Sequence, residues 1–280
     1  MAKFSNEQSF AWLERNHESI GRFLKRVKET SISPLVKQIT IGKDLWGRPD
    51  LVDFVQKCLS LFPVNALKRN HCKQIDFLDT LWFSSASTAA EPIVTSDIKQ
   101  AETKFSLPCG HSSFLNYNHD KTNVYEMKIE LFKFPDYVSE LVVWSYLAYV
   151  VIHEFAHTLQ MPAFYWRSYA EDFLQTDGVE PTYTLLIGGE KVDPRKFQET
   201  FIKEAIAFPP ITTYSAVYKD VINNPIRTFE YMADYIATYI MGFAMNPTLS
   251  MIPVNGFDDR PELYKMIKSF IESEAVIVCA

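Results

Sequence analysis

Val151-Ile152-His153-Glu154-Phe155-Ala156-His157-Thr158-Leu159-Gln160 decides how this chain is read. It has the form HExxH and closes a long apolar run, Leu141 to Ile152, that is expected to be helical. Residues four apart lie on one face of a helix, so His153 and His157 point the same way, one turn apart, and can share a tetrahedral metal. Glu154 is rotated to a neighbouring face, within reach of a water on that metal. This is the minimum apparatus of a zinc hydrolase. The plainer reading is a histidine pair with ordinary hydrogen bonds. Burying two histidines and a glutamate on one apolar helix is costly without a partner that satisfies them, which favours the metal.

Two histidines leave a catalytic zinc one protein ligand short. Metzincins place a third histidine six residues after the second; here that position is Ala163, and Gln160 replaces the usual glycine, so that branch is excluded. The best remaining candidate is Glu230, in Asn224-Pro225-Ile226-Arg227-Thr228-Phe229-Glu230-Tyr231-Met232-Ala233-Asp234. Phe229, Met232, Ala233, Ile236, Ala237 and Ile240 form a helical apolar stripe, with Glu230 and Asp234 one turn apart beside it. Glu230 can ligate zinc, and Asp234 can accept a hydrogen bond from the free ring nitrogen of a ligating histidine. Glu171, in a short segment soon after His157, and Glu204, beside Lys203, are the rivals for the third position.

HExxH followed by ExxxD on a second helix resembles the gluzincins, the thermolysin-like branch of zinc metallopeptidases. The form HEFAH with a long gap before an E-x-x-A-[DE] helix is most similar to the anthrax lethal factor and Mlc titration factor A group. The resemblance covers two helices. It implies zinc as cofactor, a helix-rich α+β zincin-like fold with a small mixed sheet, and a peptide or protein substrate. It also implies a tyrosine upstream of the third ligand that stabilises the oxyanion. Tyr214 and Tyr218 are the candidates, both further upstream than the family pattern places them.

The chain has 280 residues, 47% hydrophobic and 14% aromatic, enough for a sizeable core. It is read as one catalytic domain over 1–280, with a division into an N-terminal lobe, 1–122, and a catalytic core, 123–280, as the alternative. Net charge is −6 and no dense basic cluster appears, so no nucleic-acid partner is expected. Four cysteines are too few for a disulfide scaffold. Cys58 reads as core. His71-Cys72 and Cys109-Gly110-His111 match no ligand spacing and read as separate residues. The longest apolar run has 12 residues where a membrane span needs about 20, so no membrane insertion is expected. The first residues lack the apolar core of a signal peptide, which points to a cytoplasmic protein or one secreted without a classical signal.

In order, Ser5 and Gln8 read as a capping box before an amphipathic helix carrying Ile20, Phe23, Leu24 and Val27. Pro34–Gly42 reads as a strand, and Pro49 opens a helix that Pro63 stops. Ile75–Phe83 and Pro92–Thr95 read as strands, and Ser96–Thr122 as a polar loop at the cleft rim. Val124–Phe134 alternates Met127, Ile129 and Leu131 with Glu126, Lys128 and Glu130, a strand with one solvated face. Lying just before the HExxH helix, it is the candidate edge strand for binding an extended peptide. Asp136 is the expected N-cap of the central helix, and Pro162 its expected end. A hairpin turning at Gly188-Gly189, a helix from Pro194 to about Ala207, a turn at Asn255-Gly256 and a helix from Pro261 complete the chain.

The chemistry implied is peptide hydrolysis by a zinc-activated water, with Glu154 as general base and Tyr214 or Tyr218 on the oxyanion. The alternatives are a catalytically silent zincin-fold binding protein and a host-directed secreted effector protease. Glu154 argues against the silent form, since a purely structural site has no use for that carboxylate.

Overall fold

The computed structural model describes residues 18–79, 81–83, 93–95, 110–116, 126–133, 140–173, 183–207, 225–245, 253–254, 257 and 260–277. They form an α+β fold with seven α-helices, a mixed four-stranded sheet and a small antiparallel sheet. The helices are α1 (Glu18–Glu29), α2 (Pro49–Leu59), α3 (Val64–Arg69), α4 (Glu140–Phe173), α5 (Pro194–Ala205), α6 (Pro225–Met241) and α7 (Pro261–Glu272). The main sheet has the order β1 (Thr40–Asp44), β2 (Cys72–Leu78), β6 (Glu126–Phe132), β5 (Gly110–Asn116). β1, β2 and β6 are parallel, and β5 runs antiparallel to β6. β7 (Tyr183–Ile187) pairs with β8 (Glu190–Val192) and with the C-terminal β11 (Glu274–Ile277). Two short ladders, β3 (Leu81–Phe83) with β4 (Ile93–Thr95) and β9 (Ala244–Met245) with β10 (Pro253–Val254), stand apart.

α4 is the centre of the molecule. From Val143 to Gln160 every residue is buried except Glu154, which is partly exposed. A helix apolar on all sides must be enclosed, and burial overrides the weak helix propensity of Val143, Val150, Val151 and Ile152. On one side α2 and the chain after it supply aromatic contacts: Phe54 meets Trp144 edge-on at 4.7 Å, and Phe62 meets Phe155 at 4.7 Å. On another lies the sheet, where Met127, Ile129 and Leu131 of β6 are buried and alternate with partly exposed Glu126, Lys128 and Glu130. α6 packs along α4 on a third side, with Met232, Ala233, Ile236, Ala237 and Ile240 buried as the stripe predicts. Pro225 opens α6, where its missing N–H does no harm. Gly242, with φ of +85°, closes it by donating its N–H to Thr238 O at 2.8 Å. Arg26 of α1 donates to the carbonyl of Ile240, satisfying another of the last carbonyls.

Several expectations are corrected. α4 does not stop at Pro162 but continues to Phe173. Proline removes one helical hydrogen bond, to Thr158 O, and the neighbouring turns carry the helix past it. β6 is not an edge strand, because β2 and β5 pair with it on both sides. Among the described residues the edges of this sheet are β1 and β5, and β5 lies within the stretch expected to be loop. Pro34–Gly42 is a 3-10 turn, Val36–Gln38, followed by β1. Ile75–Phe83 divides between β2 and β3, which belong to different sheets. The hairpin is as expected, with Gly188 at φ +60° and Gly189 at φ +88°, the two positive values a tight two-residue turn demands. The capping box at Ser5, the N-cap at Asp136 and the turn at Asn255-Gly256 lie outside the described residues. No helix among the described residues is long and apolar enough to cross a membrane.

Candidate metal centre

α4 and α6 bring together three side chains that can hold a metal ion: His153, His157 and Glu230. The helical spacing sets His153 and His157 one turn apart on the side of α4 that faces α6. Their Nε2 atoms are 3.2 Å from each other. Glu230 Oε2 lies 3.0 Å from Nε2 of His153 and 3.4 Å from Nε2 of His157. For metal–ligand bonds of about 2.0–2.1 Å, a tetrahedral zinc site has ligand–ligand edges of roughly 3.3 Å. The observed triangle fits one face of that tetrahedron.

The other ring nitrogens explain why Nε2 is the atom each histidine presents. His153 Nδ1 lies 3.0 Å from Oδ1 of Asp234, which is wholly buried on α6 one turn after Glu230. His157 Nδ1 lies 3.1 Å from Oε1 of Gln160, also wholly buried. Carboxylate and amide oxygens are acceptors, so the neutral tautomer that suits these contacts has its proton on Nδ1 and leaves Nε2 a lone pair for a metal. Two lone pairs and a carboxylate oxygen then converge on one point, which a cation must fill or protons must relieve.

The electrostatics agree. Burial alone would lower the pKa of His153, but Asp234 and Glu230 outweigh it and hold the value well above the usual one. His157 is likewise raised, against its burial, chiefly by the charge of Glu230. Burial would raise Glu230; His157 and His153 instead hold it well below the usual carboxylate range. Tyr149, one turn before His153, donates its hydroxyl to Oδ1 of Asp234. Burial first, then the Asp234 charge, push the Tyr149 hydroxyl well above its usual value, so it remains a donor.

Glu154 is directed differently. A Cβ built on Gly110 would fall 2.8 Å from Glu154 Cγ and 2.7 Å from Val150 Cγ1. The first residue of β5 therefore lies directly against the Glu154 side chain, and only glycine permits that approach.

Among the rivals, Glu204 is exposed on α5 beside exposed Lys203. The continuous helix α4 carries the backbone of Glu171 about 21 Å of rise beyond His157, away from the triad. Tyr214 and Tyr218 lie outside the described residues. Cys58 and Cys72 are buried free thiols, and the sheet register sets Cys72 and His111 apart. The sequence reading overlooked Gln160 and Tyr149 as partners of the histidines. A readable signal existed: each is a polar-tipped residue three or four positions from a histidine on an apolar helix, hence on the same face. Comparison with family models, with curated proteins and with solved structures found no match.

Proposed function

We propose that this chain is a zinc-dependent peptidase of the gluzincin kind, with His153, His157 and Glu230 as the ligands and Glu154 as the general base. The observation that carries this reading is the triangle of Nε2, Nε2 and Oε2 atoms, 3.0, 3.2 and 3.4 Å apart, with an acceptor oxygen of Asp234 or Gln160 facing Nδ1 on the far side of each ring. Two imidazoles and one carboxylate suit zinc, whereas calcium and magnesium favour all-oxygen sites. Bound there, zinc supplies a Lewis acid that polarises a carbonyl and makes water a nucleophile near neutral pH.

The protein's own groups account for the rest of the chemistry. Glu154 accepts the proton of the attacking water and returns it to the leaving amine. Asp234 and Gln160 keep the histidine rings in one tautomer throughout. β5, one of the two outer strands of the main sheet among the described residues, begins against Glu154, so an extended peptide added along it would lie beside the base. Tyr214 and Tyr218 are the candidate donors to the oxyanion in this reading.

Glu154→Gln is the test. It preserves shape and ligands, so the purified protein should keep one equivalent of zinc by elemental analysis. Cleavage of a peptide library, followed by mass spectrometry, should fall by about a hundredfold or more. A variant that retains zinc and cleaves as fast as the wild type refutes the role given to Glu154. A wild-type protein that takes up no zinc refutes the centre itself.

A further inference from the structure

Tyr149 has no part in the chemistry above, yet it is tied to the site. Its side chain is buried, and its ring centroid stands 5.6 Å from that of His153. The oxygen of Asp234 that receives its hydroxyl, Oδ1, is the same oxygen that faces His153 Nδ1 at 3.0 Å. Tyr149 and His153 are four apart on α4, so the hydroxyl and the imidazole Nδ1 approach the same oxygen of α6 from one helix face. Asp234 is wholly buried, and bulk water cannot replace a lost donor. With both contacts present the carboxylate plane is fixed. Without the hydroxyl, Oδ1 loses one of the contacts that hold it, and the carboxylate is less firmly set against the imidazole.

We propose that Tyr149 is a positioning residue of the metal centre: by donating its hydroxyl to Asp234 it fixes the carboxylate that orients His153, and so sets how tightly the centre holds zinc. The inference rests on the zinc reading above. It differs from a packing role in one respect, since phenylalanine fills the same space as tyrosine and lacks only the hydroxyl.

The experiment measures zinc affinity of the full chain by competition with a chromogenic chelator. Tyr149→Phe should weaken binding about tenfold, the lower end of the 10–100-fold range for partners behind a metal ligand. Asp234→Asn should weaken it by more. The double variant should bind no more weakly than Asp234→Asn alone, because the hydroxyl acts only through that carboxylate. Tyr146→Phe serves as the control; its ring lies 6.0 Å from that of Tyr149 on the same helix, and its loss should leave affinity unchanged. Cobalt(II) in place of zinc gives a second readout, a visible spectrum that should shift in Tyr149→Phe and not in Tyr146→Phe. Unchanged affinity and spectrum in Tyr149→Phe, whatever happens to its melting temperature, would make Tyr149 a packing residue. Additive losses in the double variant would also overturn the proposal. If Asp234→Asn does not fold, the comparison of the two tyrosine variants decides alone. A wild type that binds no zinc removes the centre and this inference together, an outcome distinct from a wild type that binds zinc and a Tyr149→Phe that binds it equally well.

Discussion

Replacing Glu230 by glutamine exchanges one carboxylate oxygen for an amide nitrogen and leaves the shape of α6 unchanged. The effect can be sized. A metal that binds only the folded state stabilises it by RT ln(1 + [L]/Kd), about 2.7 kcal/mol at a hundredfold excess over Kd. For a chain of 280 residues, an unfolding entropy of about 2.1 cal/mol/K per residue converts this to a rise in Tm of about 5 °C. Glu230 Oε2 stands 3.0 and 3.4 Å from the two imidazole nitrogens and is the one anionic corner of the triangle. Losing an outer-shell partner already weakens metal sites 10–100-fold, so losing this ligand should weaken binding by about a hundredfold or more. At the same free zinc, the residual stabilisation is then about 0.4 kcal/mol and the rise in Tm under about 1 °C. The assay is a thermal melt of metal-stripped wild type and Glu230→Gln, with and without zinc buffered at a hundred times the wild-type Kd. A variant that keeps the full rise refutes Glu230 as a ligand.

Two further outcomes follow from the site. Without metal, His153 and His157 have raised pKa values, so they hold protons that the metal must displace. Their contribution to the metal-free fold is full below the unfolded value of about 6.5 and is lost as pH rises through the raised values. That of Glu230, whose pKa is lowered, is present above about 4.5 and lost as pH falls towards its folded value. Zinc affinity should therefore rise with pH above about 6.5, with protons released on binding; calorimetry in two buffers of different ionisation enthalpy measures them, and zero release contradicts the assignment. Gly110→Ala forces a Cβ to within 2.8 Å of Glu154 Cγ and 2.7 Å of Val150 Cγ1. It should destabilise the protein by about 1–3 kcal/mol and lower peptide cleavage while zinc stoichiometry is retained; unaltered cleavage would show that the contact does not set the position of Glu154.

The parts of the fold legible in the sequence are those with local periodicity. α4 and α6 declare themselves by apolar runs and stripes, and HExxH with ExxxD then names His153, His157, Glu230 and Asp234 before any coordinates. β6 is legible as a strand by its alternation, but its neighbours are not, since pairing is non-local. β5, Gly-His-Ser-Ser-Phe-Leu-Asn, is a short strand in a polar stretch, and only its ladder with β6 makes it one. β11 is likewise called into being by β7. Pro162 misleads because a proline removes one hydrogen bond, and the turns around it decide whether the helix survives. Gln160 and Tyr149 were overlooked because their roles depend on which ring nitrogen of each histidine faces inward, a fact of packing.

His153 and Glu230 are 77 residues apart in the chain yet meet at one point. A metal held by both would close the intervening chain into a ring in the folded state. Unlike a disulfide, a metal that binds only the folded state leaves the unfolded chain unrestricted, so the cost of closing this ring, which grows only with the logarithm of its length, is met by folding itself. The same logarithm makes ring length forgiving, since doubling it adds only about 0.6 kcal/mol. Segments can thus be inserted or lost between α4 and α6 with little thermodynamic consequence for the centre, provided the two helices still dock. Within that connection β7, β8 and α5 are paired with one another or with β11, or packed on α6, so the tolerated changes of length are those that leave these elements in place.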